Sequence, residues 1–190
     1  MAQSSTTISS QKDHEANITG TDISFVASTK TISATSTSLA NLSVRDLITV
    51  TGTANNNSTF TVKSKATNNL SITVEETVTD ESAGASVTID YTGFVTDKYK
   101  GDGYYSQADG VHTVAYHVLS TLVGTIKMQG SLATTPTEDD WFDITGTSAT
   151  YTGSSNTLVS SYNFTGNFVW VRAKVTGMTA DSVMKILYNH

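Results

Sequence analysis

At 190 residues the chain can hold one large domain or two small ones, and its 37% hydrophobic content can fill cores, which excludes disorder by composition. A net charge of −6, with only 11 Lys and Arg and no basic stripe, excludes a surface built to neutralise a nucleic-acid backbone. The absence of cysteine excludes disulfides and thiolate chemistry, and no apolar run is long enough to make a membrane-spanning helix.

Ser and Thr supply about 30% of the residues, far above ordinary usage. Thr and Val are stiff at χ1 and fit a pleated surface, while Ser, Asn and Thr side chains compete with the helical ladder for backbone hydrogen bonds. The chain is therefore expected to be all-β. With one proline, Pro136, its turns fall to the 13 Gly and to Asn and Asp.

Residues 1–20 are polar and lack sustained apolar alternation, which predicts an extended N-terminal arm. The arm is expected to lie on a neighbouring subunit, with Ile8 and Ile18 as its contacts. Its first residues, MAQSSTTISSQ, have neither the basic nor the apolar segment of a secretory signal, so synthesis in the cytosol is expected.

Residues 21–92 alternate short apolar runs with turn signals, the pattern of a small β-barrel or sandwich domain. The predicted strands are Ile23 to Val26, Leu47 to Thr51, Thr59 to Lys63, Leu70 to Glu75 and Ser86 to Tyr91. An Asn-rich hairpin joins Val50 to Phe60, a tighter one spans Ala66 to Leu70, and meander connectivity is the simplest expectation. Glu75, Glu76, Asp80 and Glu81 read as solubilising charge beside a strand end.

From Thr92 to about Gly110 the chain becomes rich in Gly, Asp and Tyr, marking a linker or entry loop, with the split near residue 93. Residues 93–190 then read as a second β-sandwich, jelly-roll-like. Its predicted strands are Thr113 to Leu119, Gly124 to Leu132, Tyr162 to Phe164, Phe168 to Thr176 and Val183 to Tyr188. In the fourth, Val169, Val171, Ala173 and Val175 share one face, and Phe168, Trp170, Arg172 and Lys174 the other. One helical turn is expected after Thr135, with Pro136 at its first position and acids following.

Chemistry-bearing residues are sparse. Glu138, Asp139, Asp140 and Asp143 surround Trp141 and Phe142, where a glycosidase pair competes with a solvated acidic turn anchored by Trp141; the turn is favoured. Asp97, Asp102 and Asp109 could offer loop oxygens to Ca²⁺, but their spacing matches no EF-hand loop, so a plain surface loop is expected. His112 and His117 point to opposite faces of one strand, and no Gly-x-Ser-x-Gly elbow is present. No enzyme activity, metal or cofactor is expected. Tyr99, Tyr104, Tyr105, Tyr116, Trp141 and Trp170 could include a sugar-stacking platform; core packing is favoured for Trp141 and Trp170, and the interface or glycan candidates are Tyr104 and Tyr105 in the Gly-rich loop, with Trp141.

The segments GDGYYSQADGVHTVAYHV, GTIKMQGSLATTPTEDDWFDI and YNFTGNFVWVRAKVTGMTADSVMKILYNH, from Lys100 to His190, resemble a β-sandwich module of virion structural proteins of T4-like marine and cyanobacterial tailed phages. The first half, through the hairpin Gly52 to Phe60 and the run Asp80 to Gly84, resembles a small β-barrel module of phage structural proteins. The resemblance implies a non-enzymatic virion component made in the host cytoplasm, and it carries over no catalytic residue. The expected role is capsid decoration or cement, with partners in copies of itself and the major capsid protein. The alternative is a tail, neck or fibre component with a β-sandwich that binds a host surface glycan.

Overall fold

The structure, a computed structural model, describes residues 5–105 and 110–189, and it is all-β, built of antiparallel sheets with a few short 3-10 turns. The chain divides into two compact units. One is Glu15–Phe94; the other runs from Val95 onward and also takes in the segment that ends at His14.

The segment before Gly20 forms strands β1 (Ser5–Ser9), β2 (Lys12–Asp13) and β3 (Ile18–Gly20). The unit Glu15–Phe94 continues with β4 (Ile23–Val26), β5 (Thr31–Ala34), β6 (Asp46–Thr51), β7 (Thr59–Lys65), β8 (Ser71–Val74) and β9 (Val87–Val95). The meander holds for β6, β7 and β8, but β9 returns to pair with β6, and the β4–β5 hairpin adds to β8. β3 pairs with β9, Ile18 opposite Ile89.

Alternation explains both faces of this unit. Ile48, Val50, Phe60, Val62, Ile72, Val74, Val87 and Ile89, taken from every second position, join Ile23, Phe25 and Ile32 in one buried core. Each such side chain contributes about 1.5–3 kcal/mol when fully buried. The intervening positions carry hydroxyls that meet across strands: Thr19 with Thr88 at 3.3 Å, Ser24 with Ser33 at 3.1 Å, Thr49 with Thr59 at 3.2 Å and Ser64 with Thr73 at 2.6 Å. The Ser and Thr excess is thus placed in outer-face ladders, each pair adding about 0.2–1 kcal/mol.

Three of the four acids read as solubilising charge, Glu76, Asp80 and Glu81, are instead structural acceptors, while Glu75 meets Lys63 at the surface. Glu81 takes the backbone N–H groups of Ala54 (2.8 Å) and Asn55 (3.1 Å) and the Asn56 side-chain amide (3.0 Å), so it holds the tip of the β6–β7 hairpin. Glu76 accepts from the Thr61 N–H and hydroxyl, and Asp80 from the Ala27 N–H. The reason is general: N–H groups at hairpin tips, turns and strand irregularities have no ladder partner, and a carboxylate satisfies them best.

The other unit contains β10 (Tyr99–Lys100), β11 (Val111–Val118), β12 (Val123–Ser131), β13 (Phe142–Asp143), β14 (Ala149–Thr152), β15 (Val159–Thr165), β16 (Trp170–Ala180) and β17 (Ser182–Asn189). One sheet has the order β1-β17-β11-β15, with β2 also on β17. In the other, β12 lies between β16 and the short strands β13 and β14, and β10 flanks β16. Chain neighbours β11 and β12, β15 and β16, and β16 and β17 lie in opposite sheets, as in a sandwich. Val114, Tyr116, Ile126, Met128, Val171, Ala173, Val175, Val183 and Ile186 are buried between them.

The N-terminal segment corrects an expectation. β1 pairs with β17, β2 extends that pairing at Lys12 and Asp13, and Ile8 and Ile18 are buried within this chain. Pairing on a sheet edge is carried by backbone groups, so a strand there needs no apolar period of its own.

The turn after Thr135 is also shifted. It is a 3-10 turn over Glu138–Asp140, with Thr137 as N-cap and Pro136 before the cap. The Asp140 carboxylate accepts from the Thr137 N–H at 2.7 Å and its hydroxyl at 2.8 Å.

Candidate functional site: an aromatic and lysine cleft

The site begins at the β10–β16 ladder, where Lys100 lies opposite Trp170 and Tyr99 opposite Val171. Gly101 and Gly103 donate to the carbonyls of Val169 (3.1 Å) and Phe168 (2.8 Å). A Cβ on Gly101 would sit 2.5 Å from the Phe168 carbonyl oxygen, so only glycine permits this approach. The Asp102–Tyr105 turn is thereby fixed beside β16.

That turn delivers Tyr104 to Trp170, with ring centroids 5.0 Å apart edge to face, and places Tyr105 5.2 Å from Tyr104. The Lys98 ammonium lies over the Trp170 ring at 4.4 Å, and the Lys100 ammonium over Tyr104 at 4.1 Å and Tyr105 at 5.5 Å. The Trp170 indole N–H donates to the Thr134 carbonyl at 3.0 Å. Next to these groups is an open cleft of about 310 Å³ lined by Lys98, Tyr99, Lys100, Tyr105 and Trp170, with Thr6 of β1 and Tyr188 of β17.

A buried chain of polar groups supports the cleft. Asp102 accepts from the Gly110 N–H at 2.7 Å and lies 3.5 Å from His112 Nε2. His112, fully buried, receives the Tyr188 hydroxyl on Nδ1 at 2.8 Å, and Nε2 also faces the Gly166 carbonyl at 3.2 Å. Two acceptors at Nε2 place a proton on that nitrogen, and in the neutral ring Nδ1 then accepts from the Tyr188 hydroxyl. The ring stacks against Phe164 at 5.0 Å. Asp102, expected in a surface loop, is therefore an interior residue. Asp109 lies outside the described residues.

Of the predicted platform residues, Tyr104 and Tyr105 come together with Trp170, while Trp141 does not line the cleft. Trp141 is half-buried under the Arg172 guanidinium, 4.2 Å from the ring centroid, and Arg172 closes on Glu138 with two bonds of 2.8 and 2.7 Å. Arg172 Nε donates to Gln129 Oε1 at 3.0 Å, and the Gln129 amide donates to Asp143 at 2.9 Å. Lys127 pairs with Asp143 at 2.5 Å.

Burial pushes the Asp143 carboxyl up, but hydrogen bonds from Lys127 and Gln129 outweigh it and hold the group below its ordinary value; Thr137 does the same for Asp140. A glycosidase general acid needs the opposite shift. Burial pushes the Lys174 ammonium down, helped by Arg172 and Lys127.

Sequence reasoning missed Lys98 and Lys100 as cleft residues; it counted Tyr99 and Trp170 among the possible platform aromatics but favoured the core for Trp170. The alternation of β16 held the signal, since Trp170 shares its face with Arg172 and Lys174, the wetter side of the strand.

No protein-family model matches this chain, and no curated protein matches it.

Proposed function

We propose that the chain is a non-enzymatic structural protein of a tailed-phage virion, decorating or cementing the capsid through contacts with its own copies and with the major capsid protein. The observation that carries this reading is β15, which pairs on one side with β11 and lies at the end of its sheet. Its seven residues, VSSYNFT, include no charge and no proline, the devices by which natural edges resist pairing with another chain. Exposed Leu158 (55%) and Val159 (47%) stand at its start. Such an edge suits strand addition, and repetition over a symmetric surface multiplies weak contacts. The phage assignment is supported by the sequence resemblance. Counting and locating this chain in purified particles tests the proposal. Many copies spread over the head are expected; a few copies at a vertex or tail would overturn decoration, and absence from particles would overturn the virion role.

A second reading, a carbohydrate- or receptor-binding component of tail, neck or fibre, is favoured by the cleft beside Tyr105 and Trp170. Glycan-array binding that is lost in Tyr105→Ala is its expected signature.

A further inference from the structure

We propose that the cleft beside Trp170 takes a short acidic saccharide, its carboxylate or sulfate held by Lys98 and Lys100. This inference rests on the carbohydrate-binding reading and specifies its ligand class.

The two ammonium groups set the charge. Lys63 and Lys127 are each engaged with a carboxylate, at 3.0 and 2.5 Å, and Arg172 with Glu138 at 2.7 Å. Lys98 and Lys100 differ: among the described residues their contacts are the ring faces of Trp170, Tyr104 and Tyr105. Ring faces position an ammonium without neutralising it. Two positive charges therefore stand at the cleft of a chain whose net charge is −6. Asp102, close in sequence, is directed to Gly110 and His112 and does not line the cleft.

The rest of the lining decides between anions. An inorganic anion would leave the rings of Tyr105 and Trp170 unused, and a nucleic-acid backbone needs a longer run of cations than two lysines provide. A neutral sugar would displace water from two ammonium groups and return no counter-charge. An acidic saccharide meets the groups together: its C–H faces meet the rings, a hydroxyl meets that of Thr6, and its acid meets the lysines. A cleft of about 310 Å³ lies at the small end of ligand pockets, which start near about 300 Å³, and so fits a terminal sugar unit rather than a long polymer.

The test is calorimetric titration of the full chain with 3′-sialyllactose, a sulfated lactose and digalacturonate. Lactose, inorganic sulfate and a polyglutamate peptide serve as comparisons. At least one acidic saccharide is expected to bind about tenfold or more tighter than lactose, sulfate or the peptide, and Lys98→Gln/Lys100→Gln is expected to remove that margin while keeping the native circular dichroism spectrum. If lactose binds equally well and the lysine variant binds like the parent, the acidic preference fails while the carbohydrate reading stands. Sulfate or peptide binding as tight as any saccharide also overturns the preference. No saccharide binding at all removes both.

Discussion

The Tyr188 hydroxyl donates to Nδ1 of His112 across 2.8 Å, joining β17 to β11 inside the sandwich. With Asp102 and Gly166 on the other ring nitrogen, the bond ties the turn that carries Tyr104 and Tyr105 to the sheet beneath it. Tyr188→Phe keeps the ring and leaves a buried acceptor without this donor, a loss of about 1–3 kcal/mol. Urea unfolding of the variant should show that decrease, and Tyr105 should become more accessible to quenchers. Unchanged stability would show that the bond contributes nothing net.

Burial pushes the hydroxyls of Tyr116 and Tyr188 well above the usual tyrosine value, and that of Tyr151 less far. A folded-state pKa raised above the unfolded one gives stability that is complete below pH ~10 and is lost as pH rises through the folded values. Absorbance titration at alkaline pH should therefore show some of the eight tyrosines ionising in step with unfolding. Independent ionisation of every tyrosine with native circular dichroism retained would contradict it.

At the acid end the sign reverses. Asp22 accepts from the hydroxyl and N–H groups of Thr37 and Ser36, which hold its carboxyl far below the usual range, and also from those of Thr35. Glu81 is held low by Ala54 and Asn55 N–H groups and the Asn56 amide, against a smaller opposing effect of burial. Depressed carboxyls give stability that is present above pH ~4 and lost as pH falls through the folded values. Asp22→Asn and Glu81→Gln should lower stability at neutral pH and flatten its decline in acid. Unfolding curves taken from pH 7 to pH 2 provide the check, and an unaltered slope in both variants would contradict it.

β15 offers a direct handle on self-association. Ser161 is exposed near its middle, opposite Ala115 on β11. A lysine there would bring like charges together where β15 strands of two copies pair, and it would charge the edge in any other pairing, the device natural edges use. Ser161→Lys should shift the chain toward monomer in analytical ultracentrifugation without altering its melting temperature. Oligomers that persist unchanged would remove β15 from the interface.

Much of the fold was legible because the apolar residues carry it. β4 is read at its observed bounds from Ile23-Ser-Phe-Val26, and β11 from the alternation of Val114, Tyr116 and Val118. β2, with only Lys12 and Asp13, β5 in a Ser/Thr run, and β14 were missed because their placement depends on the strand beside them. The site was legible in part: glycine and tyrosine spacing pointed to Tyr104 and Tyr105. The Asp102, His112 and Tyr188 chain was not, since nothing local tells an aspartate in a Gly-rich loop that a histidine and a tyrosine from two strands will bury it.

The acidic turn gives the last prediction. Arg172 is buried, yet every face of its guanidinium has a partner: Glu138 on the two terminal nitrogens, Gln129 on Nε and the Trp141 ring beneath. Lysine offers one point charge where this site uses a planar fork, so Arg172→Lys is not conservative here. The variant should lose about 1.5–3 kcal/mol, the range for hydrogen bonds to charged groups. Glu138→Gln keeps one acceptor and should cost less, because Glu138 is partly solvated, with 37% of its side chain exposed. If the fork is the unit, a double-mutant cycle between Arg172→Lys and Glu138→Gln should show coupling, and Trp141 fluorescence should change with Arg172 alone. Additive losses with unchanged emission would instead mean that β16 and the turn pack without the fork.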